Sequence, residues 1–367
     1  MRNRIRMLAI AAVFLFSIRP AAVRGQTGVV ESRGVQVKED SGSSAEKGSG
    51  WIYVELDAGK QRKTASKSAA SVSGKYYTQL SAYGKKLYKS LKKKNLTGKA
   101  IRIKQSYTLK YKKKKIVKQI VRSSKFKKFD LGVQNALYAY RLDHMEKCYW
   151  LSDLYPLKYA YKYQYRPGKN KQTIFQIKSV VFQPVLSYAN ALKDLPAVRK
   201  KLDQIAGTIK ATRHSTSRYS TLYTLARYMT EHFSYGNKQH DVAYTPAALL
   251  LDQYDNTGVC EAYAKVCFIL CKKLGIPVIY AESERHAYNF VKMGDGKWYG
   301  LDTNWIDDNN PENPSQMDLR WFLYGEKERA ENDLRANHVT QLRWGAAALE
   351  PIEIASGEYP FKKKAAA

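Results

Sequence analysis

The chain has 367 residues, of which 63 are lysine or arginine and 32 are aspartate or glutamate, so its formal net charge is +31. This length is sufficient to bury a core of ordinary size, and a hydrophobic content of 44% is typical of a globular protein. Four cysteines in so long a chain exclude a fold that depends on a framework of disulfides.

The first 25 residues (1–25) predict a secretory signal peptide. The sequence opens with the cationic MRNRIR, continues with a mostly apolar run, and then has small residues around PAAVRG, near which cleavage is expected. The apolar run is shorter than the roughly 20 residues that span a bilayer. Two arginines near the cleavage region leave an uncleaved anchor as the alternative. We therefore predict a secreted or cell-surface protein.

Positive charge is concentrated in one block of the sequence. Residues 26–74, rich in glycine, serine and charge, predict a flexible linker. From Ala58 to Phe129 there are 24 lysines or arginines and no aspartate or glutamate. Such a block is either a solvated charged face or a binding surface for an anionic cell-wall polymer or membrane. Nucleic acid is not expected as a partner, because the chain has no nucleic-acid-reading motif and is predicted to be exported.

Elements of regular structure are predicted within and after this block. Apolar side chains recur at helical spacing from Tyr76 to Leu91, with lysines largely between them. Residues 100–111 alternate as a strand does, and 134–149 predict another helix. Together these patterns predict a basic, tyrosine-rich α+β domain over residues 75–187.

A tyrosine-rich hairpin is predicted near the end of this domain. KYAYKYQY (158–165) would place four tyrosines on one face of a strand, RPGKNK would form the turn, and TIFQIKSVVF would form the partner strand. The tyrosines are either a packed sheet face or an aromatic surface for sugars.

Helical patterns resume at 188–207 and 216–233, and residues 256–275, NTGVCEAYAKVCFILCKKLG, predict a further helix. Thr257 or Asn256 is expected to cap its start, and a glycine followed by a proline ends it.

Cys260 would lie in the first turn of that helix. Unpaired backbone N–H groups and the helix dipole there stabilise a thiolate, and the same groups can donate to an oxyanion. Cys267 and Cys271 fall on the same face, but Cys267 is roughly 10 Å further along the axis. That separation exceeds the roughly 7 Å limit for a disulfide, and no closely spaced Cys/His pair suggests a metal site. These two are predicted to be core residues, whereas Cys260 is either a core residue or a nucleophile.

A histidine and a carboxylate lie 26 and 42 residues after Cys260. The sequence ERHAYNFVKM, a turn at MGDG and then KWYGLD predict a hairpin in which His286 faces positions 302–304. Asp302 is the carboxylate at that position, and it could orient the imidazole of a histidine that serves as the base for a thiol. The carboxylates of Asp307 and Asp308 are expected to be solvated loop charges.

At this point the chain resembles the transglutaminase-like superfamily, a papain-related group that includes transglutaminases and many microbial cysteine hydrolases. The resemblance is strongest over about residues 216–325. It is carried by GVCEAYA (258–264), KKLGIPVIY (272–280), RHAYNFVK (285–292) and KWYGLDTNW (297–305). A weaker likeness at 137–151 and the following hairpin suggests the exported bacterial members.

The resemblance implies an α+β fold, in which a helix bearing the cysteine packs on an antiparallel sheet bearing the histidine and aspartate. The catalytic domain would span 188–345, after the basic domain and before a C-terminal tail at 346–367. The implied nucleophile is Cys260, with His286 as base and acid and Asp302 as its orienter, and no cofactor or metal is required.

The implied reaction is acyl transfer through a thioester on amide bonds of a protein or peptide substrate, as a peptidase, amidase or cross-linker. The alternative is an inactive protein that binds a wall or surface through its basic domain. The Cys260 N–H would form half of the oxyanion hole, with Tyr244 suggested as a second donor. Three positions depart from the usual family pattern, namely Ala262, Tyr288 and Ile306.

Overall fold

The computed structural model describes residues 35–39, 48–55, 77, 80–94, 101–109, 116–149, 158–170, 172–182, 188–236, 242–282, 286–307, 316–331, 343–344, 347–348 and 353–360. The predicted signal peptide and part of the predicted C-terminal tail lie outside these residues. Of the helices that are described, none is long and apolar enough to cross a membrane.

A five-stranded antiparallel sheet forms the first half of the described fold. Its strands are arranged in the order β1-β2-β4-β5-β3. They span β1 (Val35–Glu39), β2 (Gly48–Glu55), β3 (Ile101–Leu109), β4 (Lys158–Pro167) and β5 (Thr173–Phe182). The strands β4 and β5 pair with each other and form the predicted hairpin, with β4 ending at Pro167 and β5 beginning at Thr173.

Two strands of this sheet lie where a flexible linker was predicted, and that part of the prediction over 26–74 is wrong. The glycine and serine content suggested disorder, but WIYV in β2 alternates buried and half-buried side chains. Ile52 and Val54 are almost fully buried. The strand pairs with β4 along its whole length, so a long-range partner stabilises a segment too short to be recognised alone.

Helices cover one face of the sheet. The helices of this half are α1 (Ala82–Lys94), α2 (Ile116–Arg122), α3 (Ser124–Asp143) and α4 (Met145–Cys148), of which α1 contacts β3 and α3 contacts β4. The four tyrosines of β4 all point into this layer and are buried. Asp130 of α3 accepts hydrogen bonds from the hydroxyls of Tyr159, at 2.5 Å, and Tyr161, at 2.8 Å. The tyrosines are therefore a packed sheet face, and their interpretation as a surface for sugars is wrong.

A second, four-stranded antiparallel sheet lies in the other half, with its strands in the order β11-β10-β9-β8. These strands are β8 (Val278–Glu282), β9 (Ala287–Lys292), β10 (Trp298–Leu301) and β11 (Phe322–Tyr324). The helices are α5 (Tyr188–Thr212), α6 (Arg218–His232), α7 (Pro246–Leu250), α8 (Cys260–Lys273), α9 (Thr303–Ile306) and α10 (Glu326–Glu331). Short paired strands complete it: β6 (Ser234–Tyr235) with β7 (Thr257–Gly258), and β12 (Arg343–Trp344) with β13 (Ala347–Ala348).

The helix α8 forms the centre of this half. Its apolar side chains are nearly all buried, and it packs on β8 and β9. The result is the predicted α+β core, a cysteine-bearing helix against an antiparallel sheet. The proposed boundary between a basic domain and a catalytic domain, near residue 187, stays a prediction.

Candidate active site

The helix α8 begins directly at Cys260. Val259 is its N-cap residue, and the backbone N–H of Val259 donates to the carbonyl of Ala243 at 3.0 Å. The predicted caps are wrong: the Asn256 amide donates to Leu249 O, and the Thr257 hydroxyl donates to Asp255 O. These polar side chains fix the preceding loop instead.

The residue before the N-cap must be small. A Cβ atom placed on Gly258 would lie 3.0 Å from the Cβ of Ala262 and 3.1 Å from both Ala243 O and Leu249 Cδ2. Since these neighbours belong to three different segments, a side chain here would displace the start of α8. This close approach explains the glycine in GVCEAYA, and Ala262, one of the family departures, fits against it.

The four cysteines are not equivalent. Cys148, Cys267 and Cys271 are buried and free, as core residues would be, whereas the free thiol of Cys260 is partly exposed. Burial, together with the Cys271 thiol, raises the pKa of Cys267 well above its ordinary value. The prediction that Cys267 and Cys271 are core residues is confirmed by their complete burial.

The predicted histidine and carboxylate are hydrogen-bonded to each other. His286 Nε2 lies 2.5 Å from Asp302 Oδ2, and both side chains are buried. The β9–β10 register pairs Leu301 with Asn289, as the expected hairpin requires. Asp302, however, lies just beyond β10 and caps α9, because its Oδ1 accepts from the N–H groups of Asn304 and Trp305 at 3.1 Å. One carboxylate therefore ends the strand, begins a helix and holds the imidazole.

The electrostatics of His286 link it to both other candidates. Burial of the imidazole acts to lower its pKa, but the charge and hydrogen bond of Asp302 raise it, and so does a hydrogen bond with the Cys260 thiol. The net result is that the pKa of His286 is raised from 6.5 to about 10. The structure thus brings Cys260, His286 and Asp302 together, with an imidazole that favours its cationic form.

Aromatic rings fix the plane of the imidazole. Trp305 stacks on His286 with a centroid distance of 4.7 Å, and Tyr288 is nearly parallel to it at 6.0 Å. Trp321 packs edge-on against Trp305 at 4.7 Å. Trp321 was not anticipated, because it lies on a 3-10 turn whose place beside the site depends on the chain path after α9.

Two further polar residues hold α8 in place. The Asn289 amide, fully buried on β9, donates to Ala264 O of α8 at 3.1 Å. Lys265, also fully buried, pairs with Glu261 at 2.6 Å and donates to Tyr149 O and Tyr244 O. The i,i+4 spacing of Glu261 and Lys265 was visible in the sequence, but their burial was not.

One predicted surface charge is in fact buried. Asp307 accepts a hydrogen bond from the Tyr263 hydroxyl of α8 at 2.6 Å and is 4% exposed. The expectation that Asp307 is a solvated loop charge is wrong, because Tyr263 provides a buried donor; Asp308 lies outside the described residues. Within the described parts of the chain, no group of three or more His, Cys, Asp or Glu residues is arranged to hold a metal ion.

The comparison with protein families identifies this region. A model of the transglutaminase-like superfamily matches residues 204–303. Residues 204–303 are transglutaminase-like. The matched range includes Cys260, His286 and Asp302, and members of that superfamily are usually cysteine peptidases or acyltransferases. A search of curated proteins found no match. The transglutaminase-like match therefore supports the predicted fold and the class of chemistry.

Proposed function

We propose that the transglutaminase-like domain is a cysteine enzyme that cleaves or exchanges amide bonds of proteins or peptides. The observation that supports this most directly is the His286 imidazole, which interacts with the Cys260 thiol and with the buried Asp302 carboxylate. A nucleophile, a base and a group that orients the base are the components that thiol acyl transfer requires.

The proposed reaction begins with a thiolate–imidazolium pair. The Sγ of Cys260 attacks the amide carbonyl carbon and forms a C–S bond, while the carbonyl electron pair moves onto oxygen. The C–N bond then breaks, and the leaving amine takes a proton from His286. Water or a primary amine attacks the thioester, passes its proton to His286, and displaces the thiolate as the C–S bond breaks.

The start of α8 supplies a place for the negative oxygen of the intermediate. The backbone N–H of Cys260 is in the first helical turn, where donors lack partners in the helix itself and the dipole is positive. Tyr244 remains the suggested second donor, and Lys265 fixes its carbonyl at 3.0 Å. This arrangement would stabilise the oxyanion more than the substrate carbonyl.

A transamidation assay tests the proposal. Dimethylated casein and a dansylated alkylamine would serve as acyl donor and acceptor, with amine incorporation, ammonia release and peptide fragments measured in parallel. We expect at least one product with the wild-type protein and none with Cys260→Ala. Cys267→Ala is the matched control, because it removes a buried thiol from the same helix. Equal activity of wild type and Cys260→Ala would contradict the proposal.

A second candidate function is binding to an anionic surface outside the cell, consistent with the predicted export. The observation that favours it is the exposure of basic side chains in the described part of residues 80–149. The exposed ones are Lys86, Lys89, Lys92, Arg102, Lys118, Arg122, Lys125, Lys127 and Lys128. Sedimentation with vesicles of phosphatidylglycerol and phosphatidylcholine tests a membrane partner. Binding should fall steeply as salt is added, and absence of binding at low salt would exclude a membrane.

A further inference from the structure

The five-stranded sheet has a second face that the described helices do not cover. Along β4 the tyrosines point towards α3, so the alternate residues Lys162, Gln164 and Arg166 point the other way and are exposed or half-exposed. We call this the outer face. Its described side chains include Trp51, Tyr53, Arg102, Ser106, Lys162, Gln164, Arg166, Gln176 and Lys178.

The charges on the described side chains of the outer face all have one sign. Arg102, Lys162 and Arg166 are exposed and Lys178 is half-exposed. Of the side chains described on this face, four are cationic and none is acidic. Because the charges come from three different strands, they are spread over a surface rather than gathered at a point. A ligand that complements them is an extended polyanion.

Aromatic rings lie beside these cations. Trp51 and Tyr53 of β2 are half-buried neighbours with a centroid distance of 6.5 Å. The Nζ of Lys162 lies 5.4 Å from the centroid of the Trp51 ring, and the two residues are register partners on β2 and β4. An indole beside an ammonium group can contact the apolar face of a sugar ring and an acid group on that ring together.

A row of amide and hydroxyl groups crosses the same face. Gln164 donates to Gln176 at 3.4 Å, and Gln176 donates to Ser106 at 3.3 Å. Lys178 donates to the same Gln176 oxygen at 2.7 Å. These side chains belong to β4, β5 and β3, and all carry groups that can exchange hydrogen bonds with sugar hydroxyls.

We propose that the outer face binds an acidic polysaccharide, a chain of sugar rings that carry carboxylate or phosphate groups. The cations would neutralise the acid groups, the rings of Trp51 and Tyr53 would stack on sugar, and the glutamine row would bind hydroxyls. The inference deepens the proposed surface-binding function by naming a partner class, and it does not depend on catalysis by Cys260.

The test uses the full chain with Cys260→Ala, so that no turnover occurs. The probes are polygalacturonate, an acidic polysaccharide; polyphosphate, a polyanion without rings; and phosphatidylglycerol vesicles. Trp51→Ala should weaken binding to polygalacturonate by about tenfold, equivalent to about 1.4 kcal/mol, and leave binding to polyphosphate unchanged. Lys162→Gln with Arg166→Gln should weaken binding to both polymers and reduce its dependence on salt.

A matched control removes the same charge from the other side of the sheet. Lys86 and Lys89 are exposed on α1, whose Tyr83 packs on Phe129 behind the inner face. Lys86→Gln with Lys89→Gln should weaken binding to polygalacturonate less than twofold. Thermal unfolding shows whether each variant is folded. If Trp51→Ala does not fold, Tyr53→Ala is used as the aromatic variant.

Three results would overturn the proposal. They are unchanged polygalacturonate binding in both aromatic variants, an equal loss in the α1 control, and tighter binding to vesicles than to polygalacturonate. None of these bears on acyl transfer, which is measured separately with Cys260 intact, so failure of this site and failure of the proposed enzyme are distinguishable.

Discussion

At the scale of single residues, the central feature is the imidazole of His286. It is buried, stacked on Trp305 and hydrogen-bonded to Asp302, so its orientation is determined from several sides. Sequence spacing was sufficient to predict that these two residues meet. The helix-capping role of Asp302 and the stacking by Trp305 could not be predicted, because both depend on how the chain turns after β10.

Replacing Asp302 by asparagine should make stability depend on pH in a defined direction. Because the folded pKa of His286 is about 10 rather than the ordinary 6.5, its protonation stabilises the fold fully below pH 6.5. That stabilisation is lost as pH rises through about 10. Asparagine can still cap α9 but removes the charge. The wild type should exceed Asp302→Asn in unfolding free energy by roughly 2–4 kcal/mol at pH 6.5 and by much less at pH 10.

Urea unfolding at both pH values measures this difference. The matched control is Asp318→Asn, whose carboxylate pairs with the exposed Arg320 instead of a histidine. Its effect on stability should not vary between pH 6.5 and 10. A constant difference between wild type and Asp302→Asn across this range would contradict the assigned charge state of His286.

Selective alkylation should distinguish Cys260 from the other thiols. In the folded protein at neutral pH, iodoacetamide should modify Cys260 roughly tenfold or more faster than the three buried cysteines. Peptide mass spectrometry after timed quenching measures each rate, and the urea-unfolded chain provides the reference. Similar rates at all four cysteines in the folded state would be inconsistent with the site described.

At the scale of elements, the sequence predicted the helix α8 and the hairpin β9–β10 because each has strong local signals. Gly275 adopts φ 74° after α8, as a C-terminal glycine does, and the hairpin register follows from its turn. The strand β2 was missed because it pairs with β4, more than 100 residues away in the chain, and β1 was missed with it because β1 pairs only with β2. Local sequence patterns identify single helices and strands, whereas the distant partner of a strand can be read only from the folded structure.

Asn289 should set the distance between α8 and β9. Its amide connects the strand that follows His286 to the carbonyl of Ala264, four residues after Cys260. Asn289→Leu keeps the volume but removes the donor, so unfolding free energy should fall by about 1–3 kcal/mol. The rate of Cys260 alkylation should change as well. A variant with unchanged stability and alkylation would show that this bond does not position the helix.

At the scale of the whole molecule, buried charges connect the two halves of the fold. Glu261 and Lys265 of α8 pair with each other, Arg141 of α3 approaches Glu261 at 3.8 Å, and Lys265 donates to the carbonyl of Tyr149. Residues of the predicted basic domain (75–187) therefore help to hold the helix that carries Cys260. This connection was not predictable, because Arg141 and Glu261 are distant in the chain.

Removing one charge of the Glu261–Lys265 pair should lower the unfolding free energy more than replacing both residues with apolar ones. Lys265→Met leaves Glu261 buried without its nearest cation, so unfolding free energy should fall by roughly 3–5 kcal/mol. Adding Glu261→Leu removes the isolated charge and should restore part of that loss. Guanidinium unfolding of wild type, both single variants and the double variant measures the coupling. Additive effects would contradict a shared buried cluster.

The most direct test of the central claim is to trap the acyl-enzyme on Cys260. Wild-type protein would be mixed with para-nitrophenyl acetate, quenched in acid, and analysed by intact and peptide mass spectrometry. The account predicts one acetyl group on the Cys260 peptide, formed more slowly in His286→Ala and absent at that peptide in Cys260→Ala. Acetylation only at other residues, or equal rates in wild type and His286→Ala, would contradict it.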